Sequence, residues 1–266
     1  MDGIELLHHL DGYLDAVPRS VARTEAIGAL TLFVNDGPGW RYYARPTPGG
    51  RPVSSRDVRI ARDRQKDRGH PQAFEWIAEL NPEMVAATRA AGLATLEHPL
   101  MLLREEPDPL APPSGVEIRL VEHIDDLVGA MAVAELGFGS SGTQVSQVGP
   151  DAIRGAAAKL EGSTVEFARD RNAGGFTVTV LATMDGVPVA SGAHNPVGLT
   201  TELVGIATLP SHRRRGIGAA ITSFLVQDAR DRGVQTIFLS ADTPEVARIY
   251  ERAGFRSVGT AGAAEP

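Results

Sequence analysis

The chain contains no cysteine. That excludes disulfide staples, thiolate-bound metals and any cysteine nucleophile, so an acyl-cysteine stage is closed to whatever chemistry the protein performs. Lysine is almost absent too: it stands only at positions 66 and 159, and arginine supplies the rest of the 26 basic residues. With abundant Ala and Gly, this bias suggests a GC-rich bacterial genome. The 33 acidic residues leave a net charge of −7, which argues against a nucleic-acid partner, because phosphate binding wants a basic excess. No apolar run approaches the roughly 18–20 residues that span a bilayer, and Met1-Asp2-Gly3-Ile4-Glu5 lacks the basic-then-apolar order of a secretory signal. A cytoplasmic location with no membrane partner is expected. Nor does any His, Asp or Glu cluster have metal-ligand spacing, so no metal is expected.

What remains is a globular composition, 42% hydrophobic and 22% charged over 266 residues, enough for one large domain or two modest ones. The clearest break is Glu105–Ser114, where Pro107, Pro109, Pro112 and Pro113 can sustain neither a helix nor a central strand. The expected division is an N-terminal domain over 1–104, a Pro-rich linker over 105–114 and a second domain over 115–266. After the linker, patterning predicts a strand at Val116–Val121 and a helix from Ile124 to Gly137. A loop follows at Gly139–Gly149, then a helix capped by Asp151. Further strands are expected at Thr164–Ala168, Phe176–Met184, Val187–His194 and Leu203–Leu209, with Asp185-Gly186 as a hairpin turn. Then come a helix over Gly218–Arg232, a strand at Thr236–Ser240, a helix opening at Thr243-Pro244-Glu245 and a strand from Phe255 to Gly259. The order predicts an α/β fold with a mixed central sheet flanked by helices.

Before the linker the pattern gives a start helix over Gly3–Leu14, a hairpin-like run around Asn35–Gly39, a helix over Asp57–Arg68, a strand at Phe74–Ala78 and a helix opening at Asn81-Pro82-Glu83. At a shift of 162 residues, Pro82-Glu83 falls on Pro244-Glu245 and Ala91-Gly92-Leu93 on Ala253-Gly254-Phe255. We read this as a degenerate internal repeat, against the plainer alternative of an unrelated α/β cap.

The chemistry is concentrated in Glu202–Ala219. A strand is followed by a short loop, Arg213-Arg214-Arg215-Gly216-Ile217-Gly218, and then by a helix N-terminus. Glycines let the backbone approach an anion, and free N–H groups at the positive end of a helix dipole hold phosphate oxygens. Basic side chains at the rim add charge, so the loop suits a pyrophosphate. It is neither the triphosphate loop, which needs Gly-Lys-Ser/Thr, nor Gly-x-Gly-x-x-Gly, since position 221 is Ile.

Arg213-x-x-Gly216-x-Gly218, preceded by Thr208-Leu209-Pro210, resembles the acyl-CoA motif of the GNAT superfamily of N-acetyltransferases. Ala247-Arg248-Ile249-Tyr250-Glu251-Arg252-Ala253-Gly254-Phe255 resembles that family's fourth-helix ending. The match is specific over Glu202–Val258, general over Val116–Thr201 and weak before the linker. The resemblance implies a GNAT fold and an acetyl-CoA-dependent transferase. In it, backbone groups of Ile206, Ala207 and Thr208 pair with the pantetheine arm, and the segment Arg213, Arg214, Arg215, Gly216, Ile217, Gly218 and Ala219 holds the pyrophosphate. Tyr250 protonates the departing thiolate. Glu202 lies where histone-type members carry a glutamate base; His194 is the alternative base, while His123 and His212 read as surface residues.

With no cysteine to carry the acetyl group, direct transfer through a ternary complex is expected. The other function class is a non-catalytic acyl-CoA-binding sensor or scaffold; retention of Tyr250 favours the enzyme. The acceptor is expected to be a small-molecule amine or a peptide, lined by Gly137–Gly149 and His194–Thr200. The N-terminal half has Pro48-Gly49-Gly50-Arg51-Pro52-Val53 where the motif belongs and Thr88 in place of Tyr250. It is therefore expected to pack, to form a homodimer or to shape the cleft rather than to catalyse.

Overall fold

The computed structural model describes residues 3–105, 109–139 and 149–266. Most of the expected acceptor loop, residues 140–148, and part of the Pro-rich segment, residues 106–108, lie outside the described residues. In chain order the elements are α1 (Gly3–Ala16), β1 (Arg23–Ile27), β2 (Leu30–Val34), β3 (Arg45–Pro46), α2 (Ser55–Asp67), β4 (Phe74–Ile77), α3 (Met84–Arg89) and β5 (Ala94–Leu103). They continue with β6 (Val116–Leu120), α4 (Ile124–Phe138), α5 (Pro150–Ala157), α6 (Gly162–Ala173), β7 (Val178–Met184), β8 (Val187–Val197) and β9 (Thr200–Thr208). The last are α7 (Ile217–Asp231), β10 (Thr236–Ser240), α8 (Pro244–Glu251) and β11 (Phe255–Glu265). From β3 and from β9 onward the order is the same: strand, loop, helix, strand, helix, strand.

These elements form two compact units, and the chain passes between them more than once. One unit takes the residues up to Leu102 together with Ser240–Arg248 and Arg256–Pro266; the other takes Leu103–Leu239 and Ile249–Phe255. In the first, β1, β2 and β3 form an antiparallel sheet whose turn sits at Gly28, φ +61°. The expected hairpin at Asn35–Gly39 is instead a loop after β2. Asn35 holds it with its own side chain, accepting from the Gly37 N–H and donating to the carbonyls of Pro38 and Trp40. β11 lies antiparallel against β4, pairing Ala261 with Ile77 through to Ala264 with Phe74. A Cβ on Gly262 would come within 2.3 Å of the Trp76 ring, so only glycine lets these strands close. Leu30, Leu32, Val58, Phe74, Trp76, Met84 and Ala264 form the core beneath them.

In the second unit the strand order is β10-β9-β8-β7-β6, antiparallel throughout except that β10 runs parallel to β9. The expected mixed α/β sheet is therefore present. The Asp185-Gly186 hairpin turn has positive φ at both central residues, +51° and +75°, matching the twist of the flanking strands. The Ser191 hydroxyl donates to the Ala130 carbonyl of α4, whereas a Cβ on the next residue, Gly192, would meet Ile221 and Leu225 of α7. Adjacent strand residues point to opposite faces, so α4 and α7 cover the two sides. Thr164–Ala168, expected as a strand, lies within α6. Its β-branched and aromatic residues carry only a short local bias, and the helix buries Val165 instead. Asp151 does not cap α5; Gly149 is the N-cap, Pro150 fills the first turn and Asp151 follows it.

Candidate functional site

β9 forks away from its parallel neighbour. β10 pairs with it at Thr236↔Thr200, Ile237↔Thr201 and Phe238↔Glu202, and among the described residues the pairing stops there. β9 continues to Thr208 with β8 on its other side, so Ile206, Ala207 and Thr208 lie on the stretch whose β10-facing edge is open. The β8–β9 register slips between Ser191↔Ala207 and Ala193↔Val204, which sets Gly192 against both Gly205 and Ile206. Gly205 has φ +62°, the conformation that opens a bulge and bends the strand. Sequence reasoning missed this bulge, although a lone glycine inside a strand pattern was its signal.

After a short helical turn at Pro210–His212 the chain enters α7 through two left-handed residues, Arg214 at φ +62° and Gly216 at φ +82°. A non-glycine residue held there is a local strain of the kind that accompanies ligand-binding backbone. Gly216 is the N-cap and offers no side chain to cap the helix. Among the described residues, no main-chain N–H from Arg214 to Ala219 has a protein acceptor; the first to bond is Ala220, to the Gly216 carbonyl. Six consecutive donors without a protein acceptor thus lie at the positive end of a 15-residue helix, where an anion is favoured. Gly218 keeps the approach open, since a Cβ there would find only the Thr208 hydroxyl, at 3.6 Å.

The three arginines divide the work. Arg213 is half-buried and turned inward: its Nη2 donates to the Gly137 carbonyl at 2.8 Å and its Nε to the Thr208 carbonyl at 3.3 Å. It braces the loop against β9 and the end of α4. Arg214 and Arg215 are exposed and supply the rim charge. Close packing continues at Gly137, where a Cβ would lie 2.9 Å from that of Ala207.

Tyr250 lies in the last turn of α8, half-buried, with its ring edge-on to Phe255 at 6.1 Å. Burial pushes its hydroxyl up to about 12. That hydroxyl has no hydrogen bond among the described residues and stays protonated at any ordinary pH. Glu202 is half-buried on the α4 face of β9, directly across from Asn195 of β8.

His194 is fully buried, and both ring nitrogens are engaged: Nδ1 with the Thr201 hydroxyl and Nε2 with Asp228 of α7, each at 2.9 Å. Arg232 also binds Asp228, at 2.6 Å. Burial pushes the Asp228 carboxyl up, but the hydrogen bonds from His194 and Arg232 outweigh it and hold it below the usual range. His194 therefore pins α7 to the β8–β9 hairpin, and it lies on the face opposite Glu202. His123 is exposed, and His212 is half-buried beside the Ser211 hydroxyl. Among the described residues, no group of three or more His, Asp or Glu is placed to hold a metal, and no helix is long and apolar enough to cross a membrane.

The second unit thus carries an anion cradle, an open strand edge, a protonated phenol and a carboxylate. Residues 153–255 match the model of the acetyltransferase (GNAT) family. No curated protein matches the chain by sequence. Among solved structures, the chain is similar to a GCN5-related N-acetyltransferase from Kribbella flavida, with a TM-score of 0.72 and 24% identity over 98% of this chain and 95% of that one. A tandem GNAT protein from the clavulanic acid biosynthesis pathway is similar at a TM-score of 0.57 and 14% identity, over 90% and 79%. A GCN5-related N-acetyltransferase from Sphaerobacter thermophilus gives 0.56 and 18%, over 79% and 66%. These likenesses establish the fold as that of the GNAT proteins. Over residues 153–255 the chain matches the acetyltransferase (GNAT) family model, and the fold that carries this stretch is the one those structures share.

Proposed function

We propose that the protein moves an acetyl group from acetyl-CoA directly to an amine. One observation carries the reading: six unsatisfied N–H donors at the start of α7, set beside the open edge of β9. The residues fit the co-substrate. The amides of Arg214–Ala219 would hold its pyrophosphate, with Arg214 and Arg215 at the rim, and the main chain of Ile206, Ala207 and Thr208 would pair with the pantetheine amides as an added strand.

Acetyl-CoA supplies an acyl carbon activated as a thioester. An amine attacks only when neutral, so Glu202 takes the surplus proton from the attacking nitrogen, directly or through water. As the C–N bond forms and the C–S bond breaks, Tyr250 gives its proton to the leaving sulfur. An acetamide and CoA result. A cysteine-free chain has no thiol to hold the acetyl group between steps, which favours a ternary complex as the route. The acceptor is a small-molecule amine or a peptide, and the −7 net charge favours a cationic one. We place the reaction in a bacterial cytoplasm on the strength of composition.

The first unit reads as a degenerate copy in which the anion position is closed from within. At the start of α2, Ser54 and Asp57 cap the helix reciprocally, and Arg51 pairs with the Asp57 carboxylate. Thr88, in the place of Tyr250, spends its hydroxyl on the Met84 carbonyl of its own helix.

Calorimetry with CoA tests the reading. Wild type should bind with measurable heat, and Gly218→Asp, which puts a carboxylate into the cradle, should weaken binding on the order of 100-fold. A wild type that binds no CoA overturns the proposal.

A further inference from the structure

On the face of the sheet that carries Glu202, three polar side chains line up across neighbouring strands. Arg171 in the last turns of α6 can only donate, and its Nε donates to Thr177 Oγ1 at 3.2 Å. The Thr177 proton is thereby directed onward, to Asn195 Oδ1 at 2.8 Å. Thr177 faces Asn195 because the β7–β8 register, which begins at Val178↔His194, extends by one residue. Asn195 in turn is paired in register with Glu202. Directly opposed residues of an antiparallel pair share a face, with Cβ atoms about 4.5–5.5 Å apart.

The first donor cannot swing away. The Arg171 guanidinium lies over the rings of Phe167 and Phe176, 5.9 and 5.7 Å from their centres, and its Nη2 donates to the Phe176 carbonyl at 3.3 Å. With Oδ1 turned to Thr177, the amide of Asn195 has one orientation, and its Nδ2 hydrogens point the other way along the row. We infer that Arg171, Thr177 and Asn195 form a positioning relay that presents the Asn195 amide N–H to the Glu202 carboxylate. An N–H donated to a carboxylate favours its ionised form, which is the form that accepts a proton. Arg171 supplies a positive charge at the far end of this row. α4 turns Gly129, Ala130 and Gly137 toward the sheet, β10 brings Phe238, and Asp228 and His194 lie on the α7 face.

The relay rests on the reading of Glu202 as base, but its test does not need turnover. The Glu202 carboxyl is followed by ¹³C NMR titration of glutamate-labelled protein without ligand, its signal assigned by its loss in Glu202→Gln. In Asn195→Ala the midpoint should rise by roughly half to one pH unit. Thr177→Val should raise it in the same direction by less, and Thr177→Ser, which keeps the hydroxyl, should restore the wild-type value. A merely structural role would lower the melting temperature and leave the midpoint in place. An unmoved midpoint in folded Asn195→Ala, or in Thr177→Val should the former not fold, overturns the relay. The base reading fails separately, if Glu202→Gln acetylates at the wild-type rate an amine found by screening with acetyl-CoA.

Discussion

On the proposed mechanism, Tyr250 is the residue that separates catalysis from binding. Among the described residues its hydroxyl has no acceptor, so replacing it with hydrogen leaves the packing against Phe255 intact. Tyr250→Phe should lower kcat on the order of 100-fold while CoA affinity changes little, as expected for a group used only as the bond breaks. Absorbance titration of the phenols supplies a second measurement. Of the four tyrosines, Tyr43 and Tyr250 should ionise only at about 12, and the Tyr250 step should vanish in the variant. Because the folded value is raised, the stability linked to it is complete below the ordinary value of 10.0 and disappears as pH climbs through about 12. The place of Tyr250 at the end of α8 was legible because its motif fixes the position, while its role as acid belongs to the proposal. The roles of Arg213 and His194 were not: motif position gives residue type, whereas the inward turn of Arg213 and the burial of His194 depend on carbonyls and carboxylates distant in sequence.

At the scale of elements, the approach to α7 depends on backbone conformation. Gly216 sits at φ +82°, where an added Cβ would meet Pro113 only at ordinary contact distance, 3.7 Å. The consequence of Gly216→Ala is therefore strain rather than collision. Chemical denaturation should show a loss of about 1 kcal/mol. CoA binding should weaken as well, since relaxing the turn misaims the amides; unchanged affinity would mean the turn is not what shapes the cradle. Glycines at turns and helix stops were readable, and so were α7, β10 and α8, where periodicity, caps and breakers agree. α6 was misread where Thr164–Ala168 mimics a strand. The bulge at Gly205 escaped because one αL residue inside a strand leaves the alternation almost undisturbed.

For the whole molecule, the Pro-rich segment was a visible break, and the compact units change over just before it, between Leu102 and Leu103, but the chain also returns to the first unit later. Residues 256–266 return to the first unit, where β11 covers β4. Strand partners far apart in sequence leave no local mark, so this return could not be read from patterning. A chain ending at Phe255 should leave the β4 edge and Trp76 uncovered, and it should lose the cooperative melt of the first unit while binding the dye ANS. A truncated chain that melts like the full one would show that the pairing is dispensable.

The same pairing sets an order of events during synthesis. The first unit is translated early but lacks its β11 strand until the ribosome has added more than 150 further residues, on the order of ten seconds or more at ordinary elongation rates. The half made second holds all of its own strands before that, so its sheet can close first, while the earlier half keeps an open β4 edge until the tail arrives.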